Sequence, residues 1–184
     1  MSLVAIVGMA GAGKSEVASV LKKMGFTIIR FGDITDEEIA RRGFKLNEAN
    51  ERRVRELLRE KHGMEAYAKL NLPRIDAALK QGSVVIDGLY SWEEYVFLKD
   101  YYENNLLTLA VWASPETRYA RLKNRSHRPL SAEEATSRDR VEVEKLNKGG
   151  PIAMADYTII NESSIENLGK EVAEAVARLK CQKK

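Results

Sequence analysis

Gly8-Met9-Ala10-Gly11-Ala12-Gly13-Lys14-Ser15 follows the apolar run Leu3–Val7 and precedes a stretch with Val17, Val20, Leu21 and Met24 at helical spacing. Every fixed position of the pattern G-x-x-x-x-G-K-[ST] is filled, in the strand–turn–helix setting that gives the pattern its meaning. Glycine lets a backbone wrap closely around an anion, so that several N–H groups turn inward. The helix that starts here adds the positive end of its dipole. Residues 8–15 are therefore expected to cradle the phosphates of a nucleotide. Gly8, Met9, Ala10, Gly11, Ala12 and Gly13 supply backbone, Lys14 reaches the β- and γ-phosphates, and the Ser15 hydroxyl ligates Mg²⁺, with Glu16 next in the binding segment.

Outward from this loop, short apolar runs alternate with segments of helical period. Leu3–Val7, residues 26–31, Val84–Asp87, Leu106–Trp112 and Tyr157–Ile160 read as strands. Each is apolar almost throughout, as expected of strands covered on both faces in a parallel sheet. Helix starts are marked by Ser91-Trp92-Glu93-Glu94, Ser131-Ala132-Glu133-Glu134 and Ser163-Ser164-Ile165-Glu166, each a capping-box pattern. Ser114-Pro115-Glu116 marks another, with proline in the first turn. The pattern predicts an α/β fold, a five-stranded parallel sheet with helices on both faces. Residues 1–184 read as one domain with two insertions. One, at 34–80, holds two or three helices with Gly43, Gly63 and Pro73 as breaks or kinks; the other spans 126–151.

Composition narrows the classes. A net charge of +3 suits phosphorylated metabolites but is weak for a nucleic-acid binder. One cysteine, Cys181, allows no disulfide within the chain and points to a reducing compartment. No apolar run is long enough to span a bilayer, and residues 1–4 lack the charged flank of a signal peptide. A cytoplasmic location is expected.

A second site is announced by Asp87, which ends an apolar strand and should face the same crevice as Lys14. Its expected task is to hold Mg²⁺, directly or through water. The next residue is Gly88, where hydrolytic ATPases place a glutamate, and no Asn-Lys-x-Asp guanine motif occurs. Both features favour transfer to an acceptor over hydrolysis. Arg118, Arg121 and Arg125 fall at i, i+3 and i+7 and are expected to share a helix face, with His127, Arg128, Arg138 and Arg140 following. Such guanidinium groups suit a lid that closes over a transferring phosphoryl group. Arg52, Arg55 and Arg59 are interleaved with Glu51, Glu56 and Glu60 and read as a salt-bridged outer face.

The loop at 8–15, Phe31-Gly32-Asp33, Asp87-Gly88, Arg121-Leu122-x-x-Arg125 and Ala155-Asp156-Tyr157-x-Ile159-x-Asn161 together resemble the P-loop nucleoside-phosphate kinase group. The second half is most similar to dephospho-CoA kinase. Gly32-Asp33 and Asp87-Gly88 look equally like adenylate kinase, and the whole chain resembles a family described as adenylate-kinase-related or dephospho-CoA-kinase-related. The resemblance implies a three-layer P-loop kinase fold using ATP and Mg²⁺ on a small-molecule acceptor. It implies that Asp33 takes the acceptor hydroxyl's proton and that Arg121, Arg125 and Arg138 are lid arginines. Asn161 would lie near adenine, residues 34–80 would form the acceptor arm, and residues 126–151 a short lid. The chain departs from adenylate kinase at Asp36 and at 89–92, where acceptor-phosphate arginines are expected. Arg41 and Arg42 are candidates to compensate. Glu142 replaces a glutamine of the dephospho-CoA kinase pattern.

Overall fold

The computed structural model of the chain describes residues 2–126 and 129–181. Five strands, β1 (Leu3–Val7), β2 (Thr27–Arg30), β3 (Val84–Asp87), β4 (Leu106–Trp112) and β5 (Tyr157–Ile160), form one sheet in the order β2-β3-β1-β4-β5. All neighbouring pairs are parallel. Four strands have the expected bounds, and β2 is one residue shorter at each end than 26–31.

The sheet is covered on both sides. On one, Val4 and Ile6 of β1 pack with Val17, Ala18 and Leu21 of α1 (Lys14–Lys23) and with Leu168, Val172 and Val176 of α9 (Ile165–Cys181). On the other, Leu3, Ala5 and Val7 meet α2 (Asp33–Arg41), α3 (Glu48–His62), α4 (Ala66–Leu79) and α5 (Trp92–Tyr102), through Ile39, Val54, Tyr67, Ile75 and Leu98. Burial of successive β1 residues on opposite faces explains its unbroken apolar sequence. A smaller cluster of Ala10, Leu122 and Ala135 joins the phosphate loop to α6 (Pro115–Lys123) and α7 (Ala132–Glu144). The short α8 (Gly149–Ala153) leads into β5.

The block before β3 is three helices, broken at Gly43 and Gly63, whereas α4 runs through Pro73 without ending. Of the three expected capping boxes only the one at Ser131 is complete. Ser91 caps α5, but the Glu94 carboxylate accepts the Tyr90 amide. Before α9 the capping hydroxyl is that of Ser164, which accepts the Asn167 amide at 3.3 Å, so this helix starts one residue later than expected. The shared arginine face is also corrected. α6 ends at Lys123 with Asn124 as its C-cap, so Arg125 lies beyond the helix that carries Arg118 and Arg121. His127 and Arg128 lie outside the described residues.

Candidate functional site

Strand β1 delivers the chain into the phosphate loop at the carboxyl edge of the sheet. A Cβ on Gly8 (φ +146) would sit 2.3 Å from the Val111 carbonyl oxygen, and one on Gly11 (φ +80) 2.7 Å from that of Arg118. Both obstacles are backbone atoms, so these positions require glycine for close approach as well as for conformation. Ala12 N–H closes a turn on Met9 O, and Gly13, the N-cap of α1, offers no side-chain acceptor. Among the described residues no hydrogen bond engages the amides of Gly11, Gly13, Lys14 and Ser15. Four open donors at the positive end of α1 fit an oxyanion such as a phosphate.

Lys14 Nζ donates to the carbonyls of Gly8 and Met9 at 2.9 and 3.0 Å, bridging the loop it belongs to. Burial, and after it the Lys148 ammonium, pull its pKa down to about 7, while Glu142 and Asp87 pull it up. Asp87 pairs in register with Ile6, beside the start of the loop. Burial raises its pKa, and Lys14 and Arg30 hold it back. Ser15 and Glu16 are exposed on the first turn of α1. Among the described residues no three His, Cys, Asp or Glu side chains converge on one point. A hard cation here would draw on Ser15 Oγ, Asp87, water and phosphate oxygens, a donor set that suits Mg²⁺.

Next to Asp87 across the sheet stands Arg30, its register partner at the end of β2. Arg30 Nε donates to Asp33 at 2.6 Å, and its Nη2 donates to Asp36. Asp33 is the first residue of α2 and Gly32 its N-cap, so the carboxylate is free of capping and engaged by Arg30 instead. Arg41 and Arg42 both pair with Glu38, at 2.6 Å each, so they are spent within α2. The outer pairs of α3 form as expected for Arg52–Glu56 and Arg55–Glu51. Arg59 instead lies over the Tyr67 ring, 5.5 Å from its centroid. Tyr67 shares a 2.5 Å hydrogen bond with Thr35. Behind this wall Glu94 is fully buried, and burial pushes its pKa up to about 7.

The lid-side residues divide by task. Arg118, 5 % exposed, is fastened to Asp139 and to the carbonyls of Ala10 and Ala113. Arg121 Nη2 donates to the Asn161 carbonyl at 3.0 Å, and Asn161 Nδ2 donates to the Ala12 carbonyl at 2.8 Å. Asn161 thus clasps the phosphate loop from β5. Arg125 is exposed, and partial desolvation and then Arg138 lower its pKa. Arg138 Nε donates to Glu142 at 3.2 Å. Glu142 is 5 % exposed and Lys148 1 %, and they form a buried pair at 2.7 Å. The same Glu142 oxygen accepts the Ala10 amide at 3.3 Å. Burial alone would raise the Glu142 pKa, but Lys148 and then Lys14 hold it down to about 2.

Lys14, Asp87 and Arg138 are therefore brought into one electrostatic cluster, with Asp33 joined to Asp87 through Arg30. Arg121 and Asn161 sit on the loop's other flank, and Arg125 stands outside at the surface. Three members of the cluster went unread in the sequence: Arg30, Glu142 as a contact of the loop, and Lys148. Arg30 ends a strand, the same signal that singled out Asp87. The contact of Glu142 and Lys148 with residue 10 depends on how α7 folds back, which carries no local signature.

A phosphate loop at the end of the central strand of an all-parallel, five-stranded sheet defines a P-loop nucleotide-binding protein of kinase-like fold. A family model described as AAA domain matches residues 4–144. The UPF0200 protein of Thermococcus kodakarensis is 38% identical over 178 residues, covering 95% of this chain and 96% of its own. The chain belongs to this AAA-domain family and to the UPF0200 proteins. Among solved structures, shikimate kinase from Bacteroides thetaiotaomicron aligns with a TM-score of 0.63 at 14% identity, covering 96% of this chain and 98% of that one. A gluconokinase from Sinorhizobium meliloti 1021 aligns with a TM-score of 0.59 at 14% identity, covering 97% and 93%. At such identities the likeness is one of fold.

Proposed function

We propose that the chain is an ATP-dependent kinase that phosphorylates the hydroxyl of a small molecule, with a dephospho-CoA-like or nucleotide-like acceptor. One observation carries this reading: the phosphate loop, Asp87 and the Arg30–Asp33 pair stand side by side at the carboxyl ends of β1, β3 and β2. On this reading the loop and Asp87 are the donor half, and the Arg30–Asp33 pair the acceptor half, of one crevice.

In this mechanism the open amides of the loop hold the β- and γ-phosphates, and Lys14 leaves the Gly8 and Met9 carbonyls to meet them. Ser15 and Asp87 would hold Mg²⁺, which would supply positive charge to offset that of the phosphates. Asp33, oriented by Arg30, accepts the acceptor hydroxyl's proton as the new O–P bond forms and the bond from the γ-phosphorus to the bridging oxygen breaks. Arg121, Arg125 and Arg138 close over the transferring group and exclude water. Residues 34–80 form the acceptor arm and 126–151 the lid of a single domain. A reducing, cytoplasmic setting agrees with a lone cysteine, and no described helix is long and apolar enough to cross a membrane. Nucleic acid is not among the partners of this reading.

The test is ATP consumption measured across dephospho-CoA, nucleoside monophosphates and nucleosides. One acceptor should raise turnover clearly above background, and Lys14→Ala should abolish it. Asp33→Asn should remove transfer while leaving nucleotide binding in place. If no acceptor stimulates turnover, the kinase reading is lost. A second reading then stands, a nucleotide-binding regulatory protein without an acceptor site; Arg41 and Arg42, both engaged by Glu38, favour it.

A further inference from the structure

Glu142 stands where a carboxylate is costly unless it has a task. It is 5 % exposed, and it shares its buried position with Lys148, which is 1 % exposed. One carboxylate oxygen takes both the Lys148 ammonium at 2.7 Å and the Ala10 amide of the phosphate loop at 3.3 Å. The other takes Arg138 at 3.2 Å. A lysine, an arginine and a loop amide around an oxyanion are the donor set that phosphate-binding sites use. Lys148 is further covered by the Tyr90 ring, 5.3 Å from its centroid, and lies close enough to Lys14 to be the foremost charge depressing that lysine.

We infer that Lys148 is a second phosphate-binding lysine, and that the Glu142 carboxylate occupies a phosphate seat on the loop until a nucleoside triphosphate displaces it. The inference rests on the nucleotide-binding part of the reading above and does not depend on the acceptor. Asp87 also faces Lys14 and Glu94 also faces Lys148, but the carboxylate that the two cations share is that of Glu142. An incoming polyphosphate replaces that carboxylate as their common counter-ion and takes its place on the Ala10 amide. Lys148 then contacts phosphate directly. Since the carboxylate competes for the seat, the apparent affinity of the wild-type chain is its intrinsic affinity reduced by the fraction with the seat open.

Equilibrium binding of ATP, ADP, AMP and adenosine, followed by titration calorimetry, tests this without turnover. Glu142→Gln and Glu142→Asp, the second of which keeps the charge but withdraws it by one methylene, should bind ATP more tightly, by about tenfold, with little gain for adenosine. Lys148→Met should weaken ATP by about tenfold or more, and Lys148→Arg should restore most of it. Weaker or unchanged ATP binding in folded Glu142 variants would overturn the inference, as would unchanged binding in Lys148→Met. Should the variants at 142 fail to fold, Trp92 supplies the readout. Its amide donates to the Leu146 carbonyl and its ring faces Gly150, so it reports on the segment carrying Lys148. In a Trp112→Phe chain, which retains Trp92 as its one tryptophan, ATP should change the emission and adenosine should not. Saturable ATP binding with unchanged emission counts against displacement. ATP binding by neither the wild type nor the variants would sink the nucleotide reading itself, together with the inference.

Discussion

Arg118 grips Asp139 through both carboxylate oxygens, at 2.8 and 2.5 Å, and lends the same guanidinium to the Ala10 carbonyl at 3.0 Å. Tyr119 adds a hydroxyl to Asp139 at 3.0 Å. Through this one side chain α6 fastens α7 to the phosphate loop. Breaking such a pair leaves a partly buried carboxylate uncompensated. Arg118→Ala should therefore cost about 3–5 kcal/mol of stability. Urea unfolding would measure it, and a loss below 1 kcal/mol would place the pair among ordinary surface bridges, worth about 0–1 kcal/mol.

Lys14 gives a pH dependence with a definite sign. In the free chain its pKa is drawn down to about 7 by burial and by Lys148, against the weaker upward pull of Glu142 and Asp87. A bound phosphate raises that pKa. Between pH 7 and the higher bound value the complex holds a proton that the free chain lacks, so binding takes one up. Affinity for ATP should fall as pH rises from 7.5 to 9, approaching about tenfold per pH unit. Calorimetry in buffers of different ionisation enthalpy should show proton uptake near pH 8; heats independent of the buffer would contradict it.

Glu94 acts on stability in a separate window. Burial keeps its proton to about 7 in the fold, against 4.5 for an ordinary glutamate. Its contribution is then complete below pH 4.5 and is lost as pH rises through 7. Glu94→Gln, which can still accept the Tyr90 amide, should flatten this fall. Thermal melting at pH 5 and pH 8 would compare the two proteins, and parallel slopes would speak against the assignment.

Gly8 carries both a positive φ and a backbone neighbour that cannot yield. Gly8→Ala should cost on the order of 1–3 kcal/mol from the backbone alone, with ATP binding lost as the loop is displaced from Val111. An unchanged melting temperature would show that the strand end can shift.

The sheet and the phosphate loop were legible because their signals are local. A run such as Leu3–Val7 states its own burial, and the spacing from Gly8 to Ser15 states its own geometry. The surroundings of that loop were legible only in part. Arg118, Arg121 and Arg125 looked equivalent by helical period, yet the helix ends before Arg125, and Arg118 turns inward to Asp139. Arg59 looked like a member of a solvated face, and it lies on Tyr67. Asp33 follows Gly32, the N-cap of α2, and its carboxylate pairs with Arg30, a partner that the sequence did not announce. In each case the outcome depends on where the helix ends and on which group tertiary packing brings near. The pairing of Glu142 with residue 10 spans 132 positions of sequence, beyond any local pattern.

The position of β1 at the middle of the sheet bears on how the chain comes off the ribosome. Its first residue, Leu3, pairs with Val84 on one side and Leu106 on the other, so the strand that carries the nucleotide loop has no ladder partner until synthesis has reached β3. Three helices, α2 to α4, emerge during that wait and are built from contacts close in sequence. Synthesis should thus produce the helical arm before the phosphate loop has a scaffold, and an exposed β1 is the natural client of a chaperone at that stage.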